Sequence, residues 1–196
     1  EKLAKSLALI DLTNSGHSFI WHNQRFYFNP ISARLIPVLF DGNSGKKLKK
    51  LMIEKKYYYK LFEDHELVRE YVRFLEYFNN PKYLDKFFKK NKDQLTYYEK
   101  LLYKSYPAMY FNKDNYYYNQ KVITSFLKPT NPIEANIQEY NKDNTIIKVS
   151  NKQILPIKII GVFEKEKLIY KPRDELVIKA KRKNSFSTYK NYKLFS

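Results

Sequence analysis

The chain has 196 residues, enough for one ordinary domain or two small ones. Its 43% hydrophobic and 29% charged residues describe a chain that buries a core, and exclude a wholly disordered tail. It has no cysteine, which excludes disulfide scaffolds and thiolate metal sites, and no stretch approaches the ~18 uninterrupted apolar residues of a membrane span.

Thirty-seven Lys and Arg against twenty Asp and Glu leave a net charge of +17. Residues 1–45 carry four basic and three acidic side chains, residues 46–128 nineteen and ten, and residues 129–196 fourteen and seven. The excess therefore spreads over two thirds of the chain and is mostly Lys, the whole chain having only six Arg, the side chain that grips phosphates and guanine edges bidentately. No helical stretch is purely basic, because Glu63, Asp64, Glu66, Glu70 and Glu76 interleave with Arg69 and Arg73. A diffuse Lys background binds polyanions weakly and salt-dependently, so a dedicated nucleic-acid partner is disfavoured.

The chain opens on Glu1-Lys2-Leu3, without an initiator Met or a signal peptide, and reads as a piece of something longer. Leu3, Leu7, Ile10 and Leu12 sit near helical spacing, so residues 1–13 are expected to form a buried helix tail. Asn14-Ser15-Gly16-His17-Ser18 has turn chemistry. Residues 24–29 and 35–40 are aromatic and β-branched runs around Pro30-Ile31-Ser32-Ala33, the pattern of an antiparallel hairpin. Pro37 places the second run at an edge or a bulge.

From Lys46 to Leu127 the pattern is helical. Leu67, Tyr71, Phe74 and Phe78 form one apolar stripe, which Asn79-Asn80-Pro81 ends. Leu84, Phe87, Phe88, Leu95, Tyr98, Leu101 and Leu102 predict one long second helix, and residues 114–127 a shorter third. Most Tyr and Phe of this region fit core or half-buried positions better than a base-stacking platform. Lys128-Pro129-Thr130-Asn131-Pro132 is a linker, after which the period becomes two. Strands are expected at 145–149, 154–160, 167–170 and 176–180, with 150–153 a tight connection. The expected class is α+β: residues 1–128 with a hairpin at 1–45 and helices at 46–128, a β-sandwich-like segment at 133–180, and a poorly ordered polar tail at 181–196.

Chemistry concentrates in residues 14–42. A hairpin turning about position 32 pairs residues whose numbers sum to 64, which sets Asn23 opposite Asp41 at its open end. Opposed Cα atoms lie about 4.5–5.5 Å apart, so an amide oxygen and a carboxylate would converge there. Such hard oxygens suit Mg²⁺, which takes few protein ligands and completes its shell with phosphate and water. The competing reading is that both side chains cap the hairpin by bonding backbone groups.

His22-Asn23-x-Arg25-Phe26-Tyr27-Phe28-Asn29-Pro30, then Leu35-Ile36-Pro37 and Phe40-Asp41-Gly42, resemble the CotH-like family of atypical protein kinases. The distinctive part covers about thirty residues. The helical segment, the Leu127-Lys128-Pro129 break and the strands after Ser150-Asn151 resemble the region beyond the catalytic segment in larger relatives. The resemblance implies a partial kinase-like C-lobe, ATP and Mg²⁺ as cofactors, a protein substrate, and a setting in the cell envelope or outside the cell. It assigns Asn23 and Asp41 to the metal.

The sequence departs from the family pattern in two places. A kinase catalytic loop has an Asp five residues before its metal Asn, and here that position is Ser18. The candidates for a base are then His17, which could accept a proton near neutrality, and Asp11, the nearest preceding carboxylate. His22 and Trp21 are expected to pack beside Asn23. Secondly, no glycine-rich loop or nucleotide-binding strand Lys precedes the motif, so this piece alone is not expected to turn over ATP. An alternative is a non-catalytic CotH-like surface or adhesion module, and a further one a basic polyanion-binding module. Other chemistries find little support: three His without Cys do not suggest zinc, and neither G-x-S-x-G nor a P-loop is present.

Overall fold

The computed structural model describes residues 1–181 and 188–196. The protein is of mixed α+β class and divides into two compact units, Glu1–Ser125 and Phe126–Ser196.

The first unit is built on α1 (Lys2–Thr13), whose Ala4, Leu7, Ala8, Ile10 and Leu12 are buried. Asn14 ends it in the left-handed region, φ 47°, a conformation Asn tolerates better than most side chains. A 3-10 turn, Gly16–Phe19, leads to β1 (Arg25–Asn29) and β2 (Arg34–Val38). These pair antiparallel with Tyr27 opposite Ile36 and Asn29 opposite Arg34. Partner numbers thus sum to 63, one less than a turn centred on position 32 requires. The cause lies in the turn. The Asn29 side-chain oxygen accepts from the backbone N–H of Ile31 and Ser32, at 3.0 and 3.3 Å, and Ala33 takes φ 50°, which closes a four-residue loop. Each strand of this two-stranded ribbon is an edge, so Pro37 costs no interior ladder. Its Phe26, Tyr27, Phe28 and Leu35 are exposed.

After three short 3-10 turns between Met52 and Glu63, α2 (His65–Phe78) packs on α1. Asp64 caps it, its carboxylate accepting from Glu66 and Leu67 N–H, the usual remedy for unpaired donors of a first turn. The buried face is Val68, Tyr71, Phe74, Leu75 and Phe78; Leu67, expected on the stripe, is only half-buried. Asn80 caps α3 (Pro81–Lys90), with Pro81 at its first position.

The long helix expected across residues 84–102 is in fact two. Asn91, at φ −105° and ψ 16°, ends α3 and precedes α4 (Lys92–Ser105). Its side-chain amide donates to Phe87 O at 2.7 Å, offering the backbone a local alternative to the helical ladder. α4 buries no side chain, and Tyr97, Tyr98 and Tyr103 are exposed, contrary to the expected core placement. α5 (Asp114–Leu127) buries Asn119, Gln120 and Ile123.

In the second unit β3 (Ile133–Tyr140), β4 (Asn144–Asn151) and β9 (Lys190–Phe195) form an antiparallel sheet in the order β3-β4-β9. Between them in sequence, β5 (Ile157–Ile159) pairs with β8 (Leu176–Ile178), and β6 (Val162–Glu164) with β7 (Lys167–Tyr170). Ile147, Val149 and Leu194 of the sheet share one core with Ile159 and Ile178 of the β5–β8 ribbon. β3 has no counterpart among the expected strands. Its residues alternate apolar and polar from Ile133 to Gln138, but its side chains are mostly exposed, so pairing with β4 rather than burial of one face specifies it. The segment expected as a polar tail carries β9, whose Leu194 is fully buried; residues 182–187 of that segment lie outside the described residues. The expected tight connection at 150–153 begins inside β4, where the Asn151 side chain turns the chain by accepting from Gln153 N–H at 2.7 Å. No helix among the described residues is long and apolar enough to cross a membrane.

Candidate functional site

Three loop segments of the first unit meet at one point. The turn after α1 brings His17, the residues before β1 bring Asn23, and the loop after β2 brings Asp41. Ser18 shapes the first of these, its hydroxyl donating to Ser15 O at 2.7 Å. The third segment turns through Asp41 and Asn43, at φ 48° and 49°. Gly42 between them lies so close to the first turn that a Cβ there would stand 2.9 Å from Ser15 Cβ. Glycine at 42 is therefore a condition of the two loops meeting.

The side chains then clamp one another. Asn23 is 6% exposed, and its amide nitrogen donates to His17 O at 3.1 Å and to Asp41 Oδ2 at 3.2 Å. His17 Nδ1 lies 2.8 Å from Asp41 O, 3.0 Å from Asn23 Nδ2 and 3.3 Å from Asp41 Oδ2. One tautomer satisfies every oxygen contact and leaves the approach of Asn23 Nδ2 to His17 Nδ1 without a hydrogen bond. Nδ1–H donates to the Asp41 carbonyl, and both amide hydrogens of Asn23 go to oxygens. The neutral ring then carries its lone pair on Nε2.

Asn23 and Asp41 thus do meet, but not by the strand pairing that the spacing suggests. Both lie outside the strands, and the side-chain bond at 3.2 Å joins them. Asn23 also makes the backbone contact of the capping reading, through His17 O. Among the described residues, no protein donor reaches Asn23 Oδ1 or Asp41 Oδ1. The pair can therefore offer an amide oxygen and a carboxylate oxygen to a hard dication while Nδ2 and Oδ2 hold the side chains together. No group of three or more His, Cys, Asp or Glu gathers anywhere among the described residues. A donor set this small suits Mg²⁺ that arrives with phosphate and water.

The other candidates fall elsewhere. Asp11 is 1% exposed and is not part of this cluster. Its carboxyl accepts from Met52 N–H at 2.9 Å and from the Tyr71 hydroxyl. Burial pushes its pKa up to about 7, against the opposing pull of those two bonds and the Lys55 ammonium. Burial and the neighbouring carboxyl hold the Tyr71 hydroxyl well above its ordinary value. Both groups are structural, and neither oxygen of Asp11 faces solvent. Ser18 is also buried. Trp21, expected to pack, is 85% exposed and meets the His22 ring edge-on.

Asn119 escaped the sequence reading. It is fully buried in α5 and accepts from Leu48 N–H at 2.6 Å, while its amide donates to Leu12 O and Lys46 O at 2.9 and 3.0 Å. It fastens the end of α1 to the segment leaving the Asp41 loop. An Asn within a tyrosine-rich helix carries no local signal of that role. No family model, curated protein or solved structure matches the chain.

Proposed function

We propose that these residues form the metal-binding end and helical part of a CotH-like protein kinase, which in the full-length protein transfers the γ-phosphoryl group of Mg·ATP to a protein hydroxyl. The observation that carries this reading is the Asn23–Asp41 pair, joined at 3.2 Å beside the His17 ring. Asn23 and Asp41 would hold Mg²⁺ through their unused oxygens. Bound there, the ion would neutralise the phosphates and orient the group to be transferred.

His17 is the base in this reading. Donation from Nδ1 to the Asp41 carbonyl leaves Nε2 to take the acceptor hydroxyl's proton. The Asp41 carboxylate lies 3.3 Å from Nδ1, on the opposite side of the ring from Nε2. Asp11 has no part in it, since its oxygens are buried and bonded.

Phosphate incorporation into protein by the full-length protein tests this. His17→Ala is expected to lower the rate by about 100-fold or more while nucleotide binding persists. An unchanged rate would remove His17 from the chemistry. A non-catalytic surface or adhesion module is the second reading, favoured by Ser18 standing where kinases place Asp with its hydroxyl committed to Ser15 O. Absence of any incorporation, with the fold intact, would favour it.

A further inference from the structure

Beside the His17–Asn23–Asp41 cluster lies a cleft of about 340 Å³, bounded by His17, Gly42, Asn43, Lys46, Lys55 and Tyr57 among others. Among the described residues, no Asp or Glu lines it. Two lysines, Lys46 and Lys55, line it, and both belong to the most densely basic stretch of the first unit. Residues 46–60 hold seven Lys and a single acidic residue, Glu54. These fifteen positions contribute six of the seventeen net positive charges.

The fold keeps that charge in place. Leu48, Leu51, Met52 and Tyr58 are buried and pin the segment to the core, whereas Lys46, Lys47, Lys49, Lys50 and Lys56 remain exposed. Glu54 is engaged locally, its carboxylate accepting from Leu51 N–H at 2.8 Å, and it forms no ion pair with these lysines among the described residues. Lys46, Lys49, Lys50 and Lys56 enter no ion pair among the described residues. The Lys55 ammonium lies over Gly16, in space that a side chain at 16 would fill. A small concave site with one sign of charge raises the local concentration of ligands of the other sign.

We infer that this cleft recognises the acceptor as an acidic peptide, with carboxylate side chains of the substrate held against Lys46 and Lys55 while its hydroxyl reaches His17. The inference rests on the phosphotransfer reading for the hydroxyl's fate, but the recognition of acidic side chains stands on the cleft alone. Its volume admits a few side chains of an extended chain and not a nucleic-acid duplex. The segment also has no Arg, the residue best shaped to clasp phosphates.

The test is binding of a fluorescent peptide, one serine flanked by glutamates, to the 196-residue chain at low ionic strength, without nucleotide or metal. The peptide is expected to bind, and its lysine-flanked counterpart not to. Lys46→Glu is expected to weaken binding by about tenfold, Lys55→Gln to act in the same direction, and Lys167→Glu in the second unit to leave it unchanged. Equal weakening by Lys46→Glu and Lys167→Glu would overturn the inference, as would no weakening by Lys46→Glu. Displacement of the peptide by inorganic triphosphate without metal would make the cleft a phosphate site, and tighter binding of duplex DNA a nucleic-acid surface; either contradicts it. Because nucleotide and metal are absent, failure here leaves the Asn23–Asp41 reading untouched, and failure of Mg·ATP binding leaves the acidic-peptide cleft standing.

Discussion

Single side chains decide this site, and the decisive ones differ in how they use burial. Asn23 is buried yet leaves its amide oxygen without a protein donor among the described residues, whereas Asp11 is buried with both oxygens bonded. The folded Asp11 keeps its proton to about pH 7, against a carboxyl's ordinary 3.8. Between those values the folded state holds a proton that the unfolded chain has lost. The resulting stability is present at low pH and is lost as pH rises through about 7. Asp11→Asn keeps the shape, with its amide oxygen accepting from Met52 N–H and its nitrogen donating to Tyr71. Urea unfolding at about pH 5 and about pH 8 is expected to show wild-type stability falling by a few kcal/mol and the variant nearly flat. Wild-type stability that rises over this range would refute the assignment of Asp11 as a neutral, structural acid.

Among the elements, loops position the chemistry and α5 fastens the loops. Asn119→Ala would strand Leu12 O, Lys46 O and Leu48 N–H together. A loss of about 3 kcal/mol is expected in chemical unfolding, and a change under about 1 kcal/mol would show that the hub is dispensable. Legibility in the sequence divides along the same line. α1 and α2 were legible because their apolar residues recur at helical spacing, and β1 and β2 because aromatic runs flank Pro30. The break at Asn91 was not, since the apolar spacing runs through it and only a side-chain bond to Phe87 O ends the helix. β3 and β9 were hidden for another reason: charged and polar residues make up half of each, and β4 between them supplies the pairing. Asn23 and Asp41 were found by a register one residue off, because loop closure through Gly42 and Ser15 brings them together and strand pairing does not.

At the scale of the molecule the two units have separate cores, and the candidate chemistry lies in the first. Its positive charge is densest in residues 46–60, of which Lys46 and Lys55 line the cleft beside the cluster. The central claim is that Asn23 and Asp41 hold the metal of a bound nucleotide. Calorimetric titration of the full-length protein with ATP, with and without Mg²⁺, tests it most directly. Binding that requires Mg²⁺ in the wild type, and that Asp41→Ala abolishes while circular dichroism stays unchanged, is the expected result. Equal ATP affinity in the wild type and the Asp41→Ala variant would contradict it.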